Sequence, residues 1–518
     1  MNEKVFKKYL SGLVKIHPST ARALRDAKRK LAKEYKTTIV SNAVILSKYR
    51  QFYKSCLDKD LIRLLRKRAI RTLSGIAPVT VLTKPYPCPG RCIYCPAPKG
   101  MPKSYIASEP AAQRAWRLKF NPYQQVAKRI KVLENNGHNV DKIELIVLGG
   151  TWSFYPKKYQ HWFIQRCFEG ANGRKSNSLA QCQKINEKAK HRIIGLSLET
   201  RPDYITTEEL WHMRKLGCTH VQIGIQSLHQ SVLDLVKRDD TLANMARATA
   251  LLRDFGFKIT YHLMPGLPGS TPKKDLTVFK KVFSDSRWQP DMLKIYPCVV
   301  VKNSLLYRWY KLGKYKPYSD KMLENLIIKI KQKVPPYVRI NRLIRDIPGP
   351  DIVAGNVITN LRQLLHDQGV KCQCIRCREV RAEKVRIDKV RLVRRAYKAG
   401  QGIEHFLSYE SHDRKKLYAF VRLRLPNKTR KLKEPVPFGN DTAIIRELHT
   451  YGELVPVGKK GKAVQHIGLG KRLMKQAEML AKKKGYKKIA VISGVGVRGY
   501  YKKMGYKLEK TYMVKQLT

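Results

Sequence analysis

Acidic side chains are scarce in this chain: 39 Asp or Glu stand against 105 Lys or Arg in 518 residues, giving a formal charge of +66 and a pI near 10.2. A positive field of that size favours a polyanionic partner, whether RNA, DNA or a membrane surface, and opposes a cationic one. Long apolar runs are missing as well. No stretch reaches the roughly 20 apolar residues of a membrane span, and the amino end carries no uninterrupted apolar segment of the signal-peptide kind. The expectation is a soluble cytoplasmic protein without a membrane partner. Nor is there a disulfide framework: of 11 cysteines, six fall in two tight clusters and five are scattered, a distribution that suits metal ligation in a reducing compartment. The apolar fraction of 43% is ample for ordinary cores, and the length suits roughly three to four domains.

The first cysteine cluster follows a β-like stretch, PVTVLTK. Cys88, Cys92 and Cys95 lie in PCPGRCIYCP. Three such thiolates can hold three irons of a [4Fe-4S] cluster and leave the fourth iron open to a bound molecule; the same spacing could also supply three ligands of a structural zinc. The second cluster, Cys372, Cys374 and Cys377 in GVKCQCIRCREV, has no such strand before it. It reads as a structural zinc site lacking one ligand, or else as free buried thiols. Nearby Arg339, Arg342 and Arg345 would add phosphate contacts if this segment faces the amino-terminal region. That region is itself basic, with 20 Lys or Arg against 5 Asp or Glu in the first 80 residues, in runs such as STARALRDAKRKLAKEY. It is either a grip for a nucleic-acid backbone or a solvated helical cap.

From about residue 75 onward, β-like runs alternate with longer helical stretches. Six strands are predicted: PVTVLTK, IELIVLGG, RIIGLSLET, HVQIGIQS, KITYHLMPG and MLKIYPCVV. Six parallel β/α units suggest a partly open barrel with its chemistry at the carboxyl ends of the strands. Candidate residues fall at those ends. Gly149 and Gly150 permit close backbone approach or make a plain turn. Glu199 and Arg201 could meet the charges of a small zwitterion, or each other. Gln222 and Gln226 share a face by the period of two. Lys294 is a lone cation in an apolar strand, where a buried amine needs an anion, a catalytic reason or a route to the rim.

From about residue 380 the pattern turns to hairpins and then an amphipathic helix. Gln465, Gly468, Gly470 and Lys471 in QHIGLGK form a glycine-rich turn whose N–H groups suit a pyrophosphate. The dinucleotide fingerprint GxGxxG is absent. Tyr500 and Tyr501, in GVRGYYKKMGY, either act on a ligand or pack the last helix. Glu447, in RELHTYG, could direct a water or pair with Arg446.

Taken in order, RTLSGIAPVTVLTKPYPCPG, IYCP, LGGTWSFYP, ETRPDY, HVQIGIQS, GFKITYHLMPGLPGS, DMLKIYPCVV, RINRLIRDIP and CQCIRCREV resemble the catalytic subunit of Elongator in its single-chain archaeal form. The QxxGxG turn likewise resembles the coenzyme A loop of the GNAT acetyltransferases. The resemblance implies an α/β multidomain protein: a basic helical tRNA-binding domain over 1–74, a partial (β/α)6 radical S-adenosylmethionine barrel over 75–365, a zinc-binding linker over 366–384 and a GNAT-like acetyl-CoA domain over 385–518. It implies that Cys88, Cys92 and Cys95 hold the [4Fe-4S] cluster, that Cys372, Cys374 and Cys377 hold zinc, and that Tyr500 and Tyr501 contact acetyl-CoA. Lys294 and the glutamines are expected to hold S-adenosylmethionine or the base. The implied substrate is the wobble uridine of a tRNA anticodon stem-loop. In the reaction that the resemblance implies, a 5'-deoxyadenosyl radical takes hydrogen from the acetyl methyl group, the carbon radical adds to C5 of uridine, and oxidation with thioester hydrolysis leaves 5-carboxymethyluridine. An external electron donor is required, while a homodimer and accessory subunits stay open. The rival reading is a protein lysine acetyltransferase using the carboxyl-terminal domain alone. Two departures mark this chain. The loop is CPGRC where the family pattern is CPHGKC, and Arg238-Asp239-Asp240-Thr241 stands where the pattern is RGHT.

Overall fold

The computed structural model describes residues 2–53, 57–66, 72, 75–380, 390–430, 434–451 and 468–517. Four helices come first: Glu3–Ile16, Ala21–Glu34, Asn42–Phe52 and Lys59–Leu65. Each begins where a short polar side chain accepts from a free backbone N–H, namely Asn2, Thr20, Ser41 and Asp58. They enclose a core of their own around Tyr9, Leu13, Leu31, Ile45 and Tyr49, and Arg50 ties them to the next layer through the Glu134 carbonyl at 2.8 Å.

The central sheet is wholly parallel: β1 (Ala77–Leu82), β2 (Lys142–Leu148), β3 (Arg192–Thr200), β4 (His220–Gln226), β5 (Lys258–Leu263), β6 (Met292–Ile295) and β7 (Arg339–Arg342), paired in that order. The six expected strands are present, and RINR adds a seventh. Its arginines hide the strand from a hydrophobicity pattern; they face a polar cavity instead of a packed core. Helices cross over between the strands and cover the outer face, which is why Val221, Ile223 and Ile225 of β4 are fully buried while its His220, Gln222 and Gln226 turn to the interior cavity. The sheet stays open between β1 and β7, as a partial barrel.

The carboxyl-terminal part is a second, mixed sheet of β8 (Val390–Lys398), β9 (Gly402–Ser411), β10 (Leu417–Pro426), β11 (Thr442–Thr450), β12 (Lys488–Val491), β13 (Lys507–Glu509) and β14 (Tyr512–Gln516), in the order β8-β9-β10-β11-β12-β14-β13. Helix Leu469–Lys483 packs Leu473, Met474, Ala477 and Ala481 on it. Only β11 and β12 run parallel, and their pairing stops at Ile445↔Val491 although β11 continues to Thr450. The two strands therefore part midway, with the Gly468–Gly470 turn and Tyr500 beside the gap.

The second sheet closes the amino-terminal end of the barrel. Ala490, Ile492, Val495, Tyr512 and Val514 belong to the barrel's own apolar core. Around them lies a buried ionic network. Asp291, fully buried just before β6, receives Arg446 through both terminal guanidinium nitrogens and has Arg422 at 3.5 Å. Arg424 donates to Asp254 at 2.6 Å, and Glu404 accepts from Arg424 and Arg446 at 3.4 and 3.2 Å. Charges buried this deeply persist only when paired, so the network fixes the orientation of the two sheets. Among the described residues no helix is long and apolar enough to cross a membrane.

Candidate active site

Cys88, Cys92 and Cys95 lie in the loop after β1, at the carboxyl-terminal end of the barrel. Cys88 Sγ lies 3.7 Å from Thr151 Oγ1, and Arg238 Nη1 donates to Cys92 Sγ at 3.8 Å. The hydrogen bond with Cys95 is the main reason that the Cys92 thiol is pulled down to about 5; burial opposes this and the Arg238 guanidinium assists. Three cysteines in one loop, with Cys92 lowered and braced by the buried Arg238, fit an iron-sulfur cluster. Gly90 keeps the loop tight. A Cβ there would overlap Arg201 Nη1, an atom that is buried and without a hydrogen-bond partner.

Gly149 and Gly150 end β2 at φ 141° and 90°, conformations that disfavour other residues. A Cβ on Gly149 would overlap Thr83 Oγ1, so this glycine lets β2 turn against β1. Glu199 and Arg201 do not pair. Glu199 faces the barrel interior, accepting from Tyr105 Oη at 2.5 Å with His262 Nδ1 at 3.3 Å. Arg201, just beyond the end of β3, turns toward the cysteine loop, gripping Asp203 and donating to the carbonyls of Arg238 and Asp239 at 3.3 and 3.2 Å.

Gln222, Gln226 and Lys294 all line one cavity of about 620 Å3 inside the barrel. Gln222 donates to Ser197 Oγ at 2.7 Å. A bulge after Gly224 puts Gln226 at φ 66° and folds its side chain back over Gly224, leaving Oε1 buried without a hydrogen-bond partner. Lys294 is lowered to about 8, first by burial, which Glu199 opposes. His262, which the sequence reading passed over, links Glu199 to Gln222 at 3.1 Å and is held neutral mainly by burial. Its signal was present in KITYHL: Lys258, Thr260 and His262 alternate on one face of β5.

The arginines of β7 and its loop meet carboxylates. Arg339 donates to Glu379 at 2.6 Å, Arg345 to Glu109 at 2.7 Å, and Arg342 pairs with Asp346. They shape the cavity and do not face the amino-terminal helices. Cys372, Cys374 and Cys377 bring their sulfurs within 4.8 Å of one another, a triangle that could bind a metal. Their short helix is wedged between the sheets, with Cys374 in the barrel core and Ile375 against Phe406 and Phe420.

In the second sheet, Tyr500 lies over the start of helix Leu469–Lys483. A Cβ on Gly470 would be 3.1 Å from Tyr500 Oη, 3.6 Å from Thr450 Cγ2 and 3.9 Å from Leu448 Cδ2. Burial raises Tyr500 to about 12. Tyr501 packs in the core against Tyr506. Gly468 caps the helix at φ 73° without a side-chain cap, and Lys471 is exposed; Gln465 lies outside the described residues. Glu447 pairs with Arg422 at 2.9 Å and Lys258 at 3.7 Å, not with Arg446. Strand β11 is thus a shared wall: Leu448 and Thr450 face the Gly470–Tyr500 side, whereas Glu447 and His449 line the barrel cavity.

Residues 84–280 match the radical SAM superfamily and residues 290–369 the radical SAM C-terminal domain. Such a domain implies a [4Fe-4S] cluster and S-adenosylmethionine, and the cysteine loop stands at its start. The chain is 43% identical over 462 residues to the tRNA uridine(34) acetyltransferase of Dehalococcoides mccartyi, covering 87% of this chain and all of that protein. It is 40% identical over 480 residues to human Elongator complex protein 3, covering 89% and 87%. The solved archaeal Methanocaldococcus infernus Elp3 with an N-terminal deletion superposes with a TM-score of 0.74 at 40% identity, over 86% of this chain and 99% of that one. With these matches running through both sheets, the chain belongs to the radical S-adenosylmethionine family that comprises the tRNA uridine(34) acetyltransferases and Elongator complex protein 3.

Proposed function

We propose that this protein converts the wobble uridine of tRNA to 5-carboxymethyluridine, using acetyl-CoA and S-adenosylmethionine. The observation that carries this reading is the shared wall, β11, with Gly470 and Tyr500 on one side and a polar cavity that reaches Cys95 of the cysteine loop on the other. A protein acetyltransferase would have no use for the second.

The cluster and S-adenosylmethionine, when bound, supply a 5'-deoxyadenosyl radical; the chain's residues bind, orient and exclude water. Cys88, Cys92 and Cys95 hold the cluster, with Gly149 and Gly150 giving backbone access next to it. Glu199, Lys294, Gln222 and Gln226 form the polar wall against which S-adenosylmethionine and the base are held, and Arg201 acts by bracing the loop. On the other side of β11, the uncapped N–H groups at Gly468–Gly470, with Gln465 and Lys471, receive the pyrophosphate of acetyl-CoA. Tyr500, protonated at neutral pH, donates to the thioester, while Tyr501, packed edge-on against it in the core, holds the Tyr500 ring in place. Cys372, Cys374 and Cys377 take zinc and lock the wedge between the sheets. The positive charge of the amino-terminal helices grips the anticodon stem-loop, whose unpaired bases reach a pocket without melting a duplex.

The test is reconstitution without oxygen, with a reductant, S-adenosylmethionine, methyl-carbon-labelled acetyl-CoA and unmodified tRNA. Labelled 5-carboxymethyluridine in the digested nucleosides is expected. Robust lysine acetylation with no labelled nucleoside, despite an intact cluster and bound tRNA, would overturn the proposal.

A further inference from the structure

Closed parallel barrels fill their axis with layers of bulky branched side chains. Here the corresponding inward positions carry Thr80, Gly195, Ser197 and Gln222, and the cavity runs past all of them. It extends from Tyr94, Cys95 and Met264 at the cysteine loop to Glu144, His220, Lys258 and Glu447 at the opposite end. Along β4 alone, from His220 to Gln226, that is a depth of about 20 Å. A site for S-adenosylmethionine and one base at the cysteine loop does not need this inner half.

The inner half ends where the second sheet opens. β11 leaves β12 after Ile445, and the chain after β12 turns onto the start of β3 so closely that a Cβ on Gly494 would overlap the Ile194 carbonyl oxygen. Ile194 and Gly195 also line the cavity. The gap between the parting strands therefore abuts the barrel at Gly195. Two ion pairs flank this end, Glu144 with His220 and Glu447 with Lys258, each at 3.7 Å. Both are longer than a hydrogen bond and can part without breaking one. His220 Nδ1, in a side chain almost wholly buried, has no hydrogen-bond partner.

We propose that the barrel axis is the passage by which the acyl end of the thioester reaches the radical site. The arm enters where β11 parts from β12, passes Gly195 and Ser197, and brings its methyl group beneath Gln226 and Lys294. The acyl group remains a thioester throughout, so no bond is made or broken in transit, and no activated fragment crosses water. The uridine approaches from the opposite, cysteine-loop end. This deepens the proposed function and rests on it.

Gly195 gives the test. A Cβ there meets nothing closer than Thr219 Oγ1 at 3.6 Å and Glu144 Cγ at 4.0 Å, so a side chain fits the strand and projects into the passage. The holoenzyme with Gly195→Ala, Gly195→Val and Gly195→Phe is assayed beside wild type for labelled 5-carboxymethyluridine, for 5'-deoxyadenosine formed without acetyl-CoA, and for acetyl-CoA binding. The expected result is a graded loss of nucleoside product, roughly 100-fold for Phe, with the other two readouts within about twofold of wild type. Gly195→Val keeps the test open if Phe does not fold. Wild-type product yield from a folded Gly195→Phe or Gly195→Val enzyme overturns the passage. Absence of product from wild type itself overturns the proposed function instead, so the two failures are distinct.

Discussion

Arg91 holds Asp239 through two hydrogen bonds, from Nε to Oδ2 at 3.2 Å and from Nη2 to Oδ1 at 3.0 Å. Arg91 belongs to the shortened CPGRC loop and Asp239 to the altered RDDT segment, so the two departures from the family pattern meet in space. The pair lowers the Asp239 carboxyl, mainly through the hydrogen bonds. Both side chains are substantially exposed, so the pair adds little to global stability. Its effect is local. Arg91→Ala is expected to leave the melting temperature near wild type while speeding the loss of cluster absorbance in air. The swap Arg91→Asp with Asp239→Arg should restore the slower rate. Equal rates in all three proteins would show that the loop does not depend on the pair.

Lys294 sets a pH limit. Burial lowers it to about 8, from an ordinary value of roughly 10.4. It is cationic at pH 7 and loses its charge as pH rises through 8, so affinity for S-adenosylmethionine should fall over that range. Lys294→Arg should bind without the fall, and Lys294→Ala should bind about tenfold more weakly at pH 7. The stability effect has the opposite sign. The unfolded chain binds the extra proton between about 8 and 10.4, so this residue's contribution improves with pH across that window. Isothermal titration calorimetry between pH 6.5 and 9.5 checks the binding; a flat wild-type profile would contradict the assignment.

The two tyrosines should separate. Tyr500→Phe removes the hydroxyl beside Gly470 and should lower acetyl-CoA turnover by roughly 100-fold at unchanged melting temperature. Tyr501→Ala empties a core position and should cost about 3 to 5 kcal/mol of stability. Kinetics together with denaturant titration distinguish them. A Tyr500→Phe enzyme with wild-type turnover would remove Tyr500 from the chemistry.

Asp291 is the acid-sensitive part of the interface between the sheets. Burial alone would raise its carboxyl, but Arg446, Arg422 and Arg253 outweigh this and hold it below the ordinary range. Its stabilisation is therefore complete above the ordinary carboxylate pKa and is lost as pH falls through the lowered value. Asp291→Ala removes the carboxylate shared by Arg422 and Arg446, leaving each with one remaining carboxylate partner, Glu447 and Glu404, and should cost about 3 kcal/mol in urea unfolding. A cost near zero would mean that the apolar core alone joins the two sheets.

Much of this architecture was legible in the sequence because its signals are local. The six strands from PVTVLTK to MLKIYP show as β-like runs, and PCPGRCIYCP groups the three cysteines by spacing alone. RINR escaped because a strand facing a polar cavity need not be apolar. Glu199 and Arg201 read as one charged pair at the end of a strand, yet β3 ends at Thr200, and one residue beyond that end suffices to aim Arg201 elsewhere. Least visible was the Asp291 network. Its ion pairs join residues up to 170 positions apart, and only the packing of one sheet on another gives RLRLP and IIREL their meaning.

The most direct test of the central claim is hydrogen transfer from the acetyl methyl group. The reconstituted enzyme is supplied with trideuteromethyl acetyl-CoA, S-adenosylmethionine, reductant and unmodified tRNA, and the recovered 5'-deoxyadenosine is analysed by mass spectrometry. The account predicts 5'-deoxyadenosine one deuterium heavier, formed in step with deuterated 5-carboxymethyluridine. Modified uridine accompanied only by unlabelled 5'-deoxyadenosine would contradict it, because the hydrogen would then have come from somewhere other than the acetyl methyl group.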